Sequence, residues 1–175
     1  MRRSRTTVIG LLAAIAALAT GLVVAVGGPA NAAASTGDVS AYQTQRIADV
    51  YGRTFATAAT TTPLVSMRAP SYHVDQDWAF TQTWSGYQVT SVLTRGCLTP
   101  ATRWVGNYPP IIQETCRGLH TELWQLVSIT SSTVAFRNVG MSGRCMGIDT
   151  SGAYPGRLYL YPCRYGASNQ QFRLL

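Results

Sequence analysis

Asp75-Gln76-Asp77-Trp78, Thr121-Glu122-Leu123-Trp124 and Asn169-Gln170-Gln171-Phe172 are three versions of one phrase, a polar cluster that closes on an aromatic ring. The rings recur about 46 and 48 residues apart, a period in the range of repeat architectures whose units must share a core because none can bury its apolar face alone. Working back from each ring, a strand-like phrase opens every unit: Ile47-Ala48-Asp49-Val50, Val89-Thr90-Ser91-Val92 and Phe136-Arg137-Asn138-Val139. Each reads apolar, any, polar, valine, a pattern of the kind expected of a strand with one buried face. A Gly/Arg turn follows, then a small residue before an apolar one (Thr54-Phe55, Cys97-Leu98, Cys145-Met146), then a second apolar segment at 63–67, 109–112 and 158–161. Short strands parted by turn residues predict an all-β fold. Three units of about four strands suit a closed barrel capped by hairpins. Trp78, Trp124 and Phe172 are the expected core rings.

The four cysteines fall as Cys97 and Cys116 in one unit and Cys145 and Cys163 in the next. Pairing within units gives two equivalent loops, each worth about 3 kcal/mol in the loop-entropy treatment. The first unit carries Thr54 and Ala69 at the corresponding places and is expected to have no bridge. Paired thiols fit an exported protein. A zinc site is not expected, since there is no C-x-x-C pair and only two histidines, His73 and His120.

The amino terminus agrees with export. Arg2, Arg3 and Arg5 precede an apolar run from Val8 to Val26; Gly27, Gly28 and Pro29 break it, and Ala30-Asn31-Ala32 is a small-x-small site. Residues 1–34 read as a cleavable signal peptide, cut after Ala32 or Ala34, with no membrane span in what remains. The mature domain is then 35–175, with repeats at about 38–80, 81–126 and 127–175, and an extracellular location is expected. Its charge is mild: fourteen arginines and no lysine face seven acids, and three of the arginines leave with the leader. No basic run resembles a nucleic-acid stripe, so no nucleic-acid partner is expected.

The phrases Gly143-Arg144-Cys145-Met146, Leu158-Tyr159-Leu160-Tyr161-Pro162-Cys163 and Asn169-Gln170-Gln171-Phe172 resemble the ricin B-chain-like lectins, the three-lobed β-trefoil domains marked by a repeated Gln-x-Trp. The resemblance is strongest in the third repeat and weakest in the first. It implies a β-trefoil, a carbohydrate ligand, no cofactor and no enzymatic activity. It also places a sugar-binding Asp two residues after the first Cys of a working lobe, an aromatic two before the second, and an Asn just before the Gln. In repeat 3 those places hold Gly147, Tyr161 and Asn169. Asp149, two positions on, is either a displaced sugar ligand or an ordinary turn residue. Repeat 2 offers Thr99, Glu114 and Thr121, and repeat 1 offers Ala56, Met67 and Asp75, both without the required set. The expected carbohydrate site is therefore Asp149, Tyr161, Asn169 and Gln170, giving weak saccharide binding mainly through the third repeat. Gln76 and Gln170 also read as braces of a neighbouring turn.

Other chemistries find little support. Glu114 and Glu122 are the only glutamates, and their pattern does not suggest the paired carboxylates a glycosidase sets across a cleft. No nucleophile-elbow phrase is present. Two aromatic groups, Tyr154/Tyr159/Tyr161/Tyr165 and Trp84/Tyr87/Trp104/Tyr108, suit glycan stacking, a protein-binding patch or the core. A non-sugar-binding trefoil that acts as a protein partner or inhibitor is the alternative reading.

Overall fold

The computed structural model describes residues 43–71 and 73–175; the expected signal peptide and residues 35–42 lie outside them. Thirteen short strands and three single 3-10 turns make up the regular structure, with no α-helix among the described residues. Lobe 1 contains β1 (Gln43–Gln45), β2 (Ile47–Asp49), β3 (Phe55–Thr57), β4 (Ser66–Arg68) and β5 (Trp78–Thr83). Lobe 2 contains β6 (Gly86–Ser91), β7 (Cys97–Pro100), β8 (Ile111–Glu114) and β9 (Leu123–Ser128). Lobe 3 contains β10 (Val134–Asn138), β11 (Arg144–Ile148), β12 (Leu158–Pro162) and β13 (Phe172–Leu174). The lobes part in the turns at 84–85 and 129–133.

Antiparallel pairing runs β1–β5–β6–β9–β10–β13–β2. β1 and β2 are one strand interrupted at Arg46, whose backbone exchanges two hydrogen bonds with Leu175 (2.8 and 3.1 Å). The ring therefore closes as a six-stranded barrel with no free edge. The remaining strands form three hairpins, β3–β4, β7–β8 and β11–β12. Cross-links between them include Val65 N–H to Ile111 O (3.1 Å), Leu160 N–H to Pro109 O (2.9 Å) and Met67 N–H to Gly156 O (2.6 Å). The hairpins thus form a three-sided cap on the barrel, and the fold is a β-trefoil.

The core lies on the threefold axis. Trp78, Trp124 and Phe172 are fully buried there together with Phe80, Phe136 and Met146. Phe136 meets Phe172 edge-on at 5.6 Å and Trp124 at 6.3 Å. An indole N–H needs an acceptor once buried. Trp78 donates to Ala56 O (3.0 Å) and Trp124 to Leu98 O (2.8 Å); Phe172 brings no such donor.

The polar half of each repeated phrase braces a loop. Gln76 accepts from Ser71 N–H and donates to Ala69 O; Gln170 accepts from Arg164 N–H and donates to Pro162 O. Glu122 has no donor, and its carboxylate instead accepts the N–H groups of Arg117, Gly118 and Leu119. These three side chains are almost wholly buried. The disulfides join Cys97 to Cys116 and Cys145 to Cys163.

Strand register corrects the alignment expected for lobe 1. Ala48 pairs with Phe55 as Thr90 pairs with Cys97 and Arg137 with Cys145. Phe55 then faces Arg68 where Cys97 faces Glu114 and Cys145 faces Tyr161. The first cysteine place in lobe 1 is therefore Phe55, not Thr54, and the second is Pro70, not Ala69. The cause is the turn before β3. Asp49 accepts from Tyr51 N–H, Arg53 N–H and the Thr54 hydroxyl (3.0, 2.9 and 2.7 Å), which keeps Thr54 in the turn.

Candidate functional site

With the register set, the three places named by the resemblance can be compared across lobes. The place two residues after the first cysteine holds Thr57, Thr99 and Gly147, so Thr57 replaces the expected Ala56. None of these offers a charged group to solvent. Thr57 Oγ1 donates to Phe55 O and Thr99 Oγ1 to Thr121 O. The place two before the second cysteine holds Arg68, Glu114 and Tyr161, with Arg68 in place of Met67. Only lobe 3 presents a ring there.

Gly147 explains how that ring is seated. A Cβ at this position would lie 2.9 Å from Tyr161 Cδ2, 3.0 Å from Gln170 Cγ and 3.4 Å from Asn169 O. The space in which the resemblance puts an aspartate is filled by the Tyr161 ring and the Gln170 stem. Glycine is required at Gly147 by close approach, not by backbone conformation, since its φ is not among the positive ones.

Around Tyr161 the second and third lobes enclose a cleft of about 280 Å³, lined by Trp104, Tyr108, Asp149, Tyr154, Tyr159 and Tyr161 among others. Tyr161 projects from β12, two residues beyond Tyr159; their ring centroids are 6.2 Å apart. Tyr108 leans on Tyr161 at 4.8 Å from the long loop between β7 and β8. Trp104, from the same loop, is 48% exposed and Tyr154, across the cleft, 51%, so both offer ring surface to a ligand. Burial, then the Asp149 carboxylate, Tyr159 and Tyr108, push the Tyr161 hydroxyl above its ordinary value of 10.0. It stays a protonated donor at neutral pH.

Asp149 organises one wall. Its carboxylate accepts Ser151 N–H (2.8 Å) and Tyr154 N–H (3.2 Å), folding the loop that carries Tyr154. Hydrogen bonding by Ser151, from side chain and backbone, holds its carboxyl below the ordinary 3.8 against the opposing cost of burial; Tyr154 N–H and the Arg157 charge add to this. Of the two roles open to it, the turn role is the one this geometry fills; Asp149 is 7% exposed and lines the cleft with what remains accessible. A carboxylate has about four lone-pair directions, so two bonds do not exhaust it.

Asn169 and Gln170 are placed differently. Asn169 Nδ2 donates to Ile148 O (3.0 Å), and both ends of the Gln170 amide are bonded to backbone as described. Neither lines the cleft. The structure brings Asp149 and Tyr161 together and assigns Asn169 and Gln170 to the backbone beneath them. Trp104 and Tyr108 are the additions that the repeat pattern did not locate, because they come from a neighbouring lobe. Trp84 sits elsewhere, its ring edge against His120 at 6.1 Å. Among the described residues no three His, Cys, Asp or Glu side chains gather into a metal-sized cluster, and no helix is long and apolar enough to cross a membrane.

No protein-family model matches the chain, and no curated protein matches it in sequence. Solved structures do. The chain is similar to a designed 3-fold symmetric protein, ThreeFoil, at 16% identity and a TM-score of 0.66, covering 75% of this chain and 97% of that one. It is similar to the Macrolepiota procera ricin B-like lectin in complex with lactose at 14% identity and a TM-score of 0.64, covering 77% and 96%. It is also similar to the Polyporus squamosus lectin, bound to a Neu5Aca2-6Galb1-4GlcNAc epitope, at 13% identity and a TM-score of 0.65, covering 77% and 49%. The chain thus spans nearly all of the first two and about half of the third. At these identities the likeness establishes the fold alone: a β-trefoil of the kind found in ricin B-like lectins.

Proposed function

We propose that this protein is a secreted, non-enzymatic lectin that binds a saccharide in the aromatic cleft of lobe 3. The observation that carries the reading is the convergence of Tyr161, Tyr154 and Trp104 with the Asp149 carboxylate in one open cleft. A pyranose has an apolar C–H face and a rim of hydroxyls; rings take the face, and a carboxylate lone pair and the Tyr161 hydroxyl take the rim. The solved lectins of this fold named above hold lactose and a sialylated glycan, which supports a sugar as the class of ligand. Export rests on the expected leader and agrees with the two disulfides. The absence of catalysis rests on the carboxylates. Glu122 is buried on backbone N–H groups and Glu114 pairs with Arg117 at 3.1 Å, so the two glutamates do not face each other as a free acid and base.

One shallow site predicts a Kd near millimolar, about −4 kcal/mol, so useful retention needs a multivalent target. A glycan array with native protein and Tyr161→Ala tests the reading. Binding that disappears in the variant, with the fold intact by circular dichroism, supports it; binding that survives Tyr161→Ala refutes the placement. The second reading, a protein-binding trefoil, is favoured by Trp84, which is 88% exposed and does not line the cleft. Recovery of one protein partner that Trp84→Ala releases, with an empty glycan array, would favour it.

A further inference from the structure

Beside the aromatic cleft, the hairpin of lobe 3 meets that of lobe 1 along a second cleft of about 380 Å³, whose wall includes Ser66, Arg68, Tyr154 and Arg157. Backbone pairing fixes its geometry: Ser66 bridges Arg157, and Gly156 O accepts Met67 N–H. Ser66 and Arg68 are two apart on β4 and face the same way, and Arg68 Nε donates to Ser66 Oγ at 3.2 Å. From the other side, the Arg157 guanidinium lies 4.1 Å from the Tyr154 ring centre. That stacking holds Arg157 in place without using its N–H groups.

Among the described residues the ion pairs are Arg46–Asp77 and Arg117–Glu114. Arg68 and Arg157 belong to neither. The acid that senses Arg157 is Asp149, whose carboxylate is engaged by Ser151 and Tyr154 N–H groups. Among the described residues, two guanidinium groups thus share one cleft without an ion-paired carboxylate, an arrangement suited to a planar or tetrahedral oxyanion. Tyr154 lines both this cleft and the aromatic one, so the two are contiguous.

We infer that the Arg68–Arg157 cleft receives the anionic group of an acidic saccharide, a sulfate ester or a uronate carboxylate, whose neighbouring ring occupies the Tyr161 cleft. The choice of a sugar as carrier of the charge rests on the saccharide reading above; the oxyanion site rests on the arginines.

The test is calorimetric or NMR titration of the mature secreted chain with a sulfated chondroitin tetrasaccharide, its unsulfated counterpart and lactose. The expected result is tighter binding of the acidic oligosaccharides than of lactose, weakened by salt. Arg68→Gln and Arg157→Gln should each lower acidic affinity about tenfold, the loss of one hydrogen bond to a charged group; Arg68→Gln, at a residue that does not line the aromatic cleft, should leave lactose unchanged. A preference for the sulfated form assigns the oxyanion to sulfate, and equal binding of both assigns it to the carboxylate. Arg137→Gln, on β10, controls for net charge, and the exposed Arg68 provides a variant whose folding is not in question. Acidic binding unchanged in both arginine variants, or lowered equally by Arg137→Gln, overturns the inference. If the arginine variants abolish acidic binding while Tyr161→Ala alters nothing, the oxyanion site stands and the aromatic-cleft reading fails.

Discussion

Replacing Gly147 with alanine adds one carbon, 2.9 Å from Tyr161 Cδ2 and 3.0 Å from Gln170 Cγ. In a strand with ordinary φ, exchanging Gly for Ala alone stabilises by about 0.4–1 kcal/mol through the unfolded chain. Here the added carbon must displace a ring that is itself pressed by Tyr108 at 4.8 Å, and overpacking of this kind costs roughly 1–3 kcal/mol. The net expectation is a loss of about 1–2 kcal/mol. Urea unfolding followed by tryptophan fluorescence should show a lower midpoint at unchanged slope, with Tm falling about 2–4 °C per kcal/mol. Combining Gly147→Ala with Tyr161→Ala should give a smaller loss than the sum of the two, since the second change removes the obstruction. Gly147→Asp should be worse than alanine, because it buries a carboxylate with no partner, and should not raise saccharide affinity. A Gly147→Ala variant as stable as the native protein would refute the claim that Tyr161 fills the space of the missing aspartate.

Three further outcomes follow from the same geometry. Because the Asp149 carboxyl is held below its ordinary value, its contribution is present above pH ~4 and is lost as pH falls through the depressed folded value; Asp149→Asn should cost roughly 1–3 kcal/mol at neutral pH, and the gap between native and variant should close as acid protonates the native carboxylate. Glu122→Ala leaves the N–H groups of Arg117, Gly118 and Leu119 without an acceptor and should lower the unfolding free energy by more than about 2 kcal/mol, read as a lower urea midpoint, whereas Glu122→Gln should recover much of it, as glutamine serves the equivalent turns in lobes 1 and 3. Breaking Cys97–Cys116 or Cys145–Cys163 by paired Cys→Ala replacement should each cost about 3 kcal/mol, read as a drop in Tm with the β-rich circular-dichroism spectrum retained.

Much of the fold was legible because a trefoil repeats its constraints. The rings of Trp78, Trp124 and Phe172 mark the shared core, and the polar residues before them mark three equivalent turns. The first lobe departs from the expected alignment by one residue, where no cysteine pins the pattern and where the Asp49 carboxylate draws Thr54 into the preceding turn. The candidate site was only half legible. Tyr161 stands out by its distance from Cys163, but Trp104 and Tyr108 reach the cleft from lobe 2, a juxtaposition set by barrel closure that no local pattern encodes. Asn169 and Gln170 look like sugar contacts in a linear motif, yet Ile148 O, Pro162 O and Arg164 N–H claim them first. Burial decides the role of Gln170, which is 3% exposed, and burial is a property of the folded lobe; Asn169 stays half-buried with only its Nδ2 engaged.

The four tryptophans allow the saccharide cleft to be tested in one spectrum. Trp78 and Trp124 bury their indole N–H groups on backbone carbonyls, Trp84 is exposed away from the cleft, and Trp104 lines it. In a nitrogen-15 titration with the best glycan from the array, the Trp104 indole signal and the Tyr154 and Tyr161 amides should shift together while the other three indoles stay fixed. A saturable shift at Trp84 with Trp104 unmoved would contradict the account.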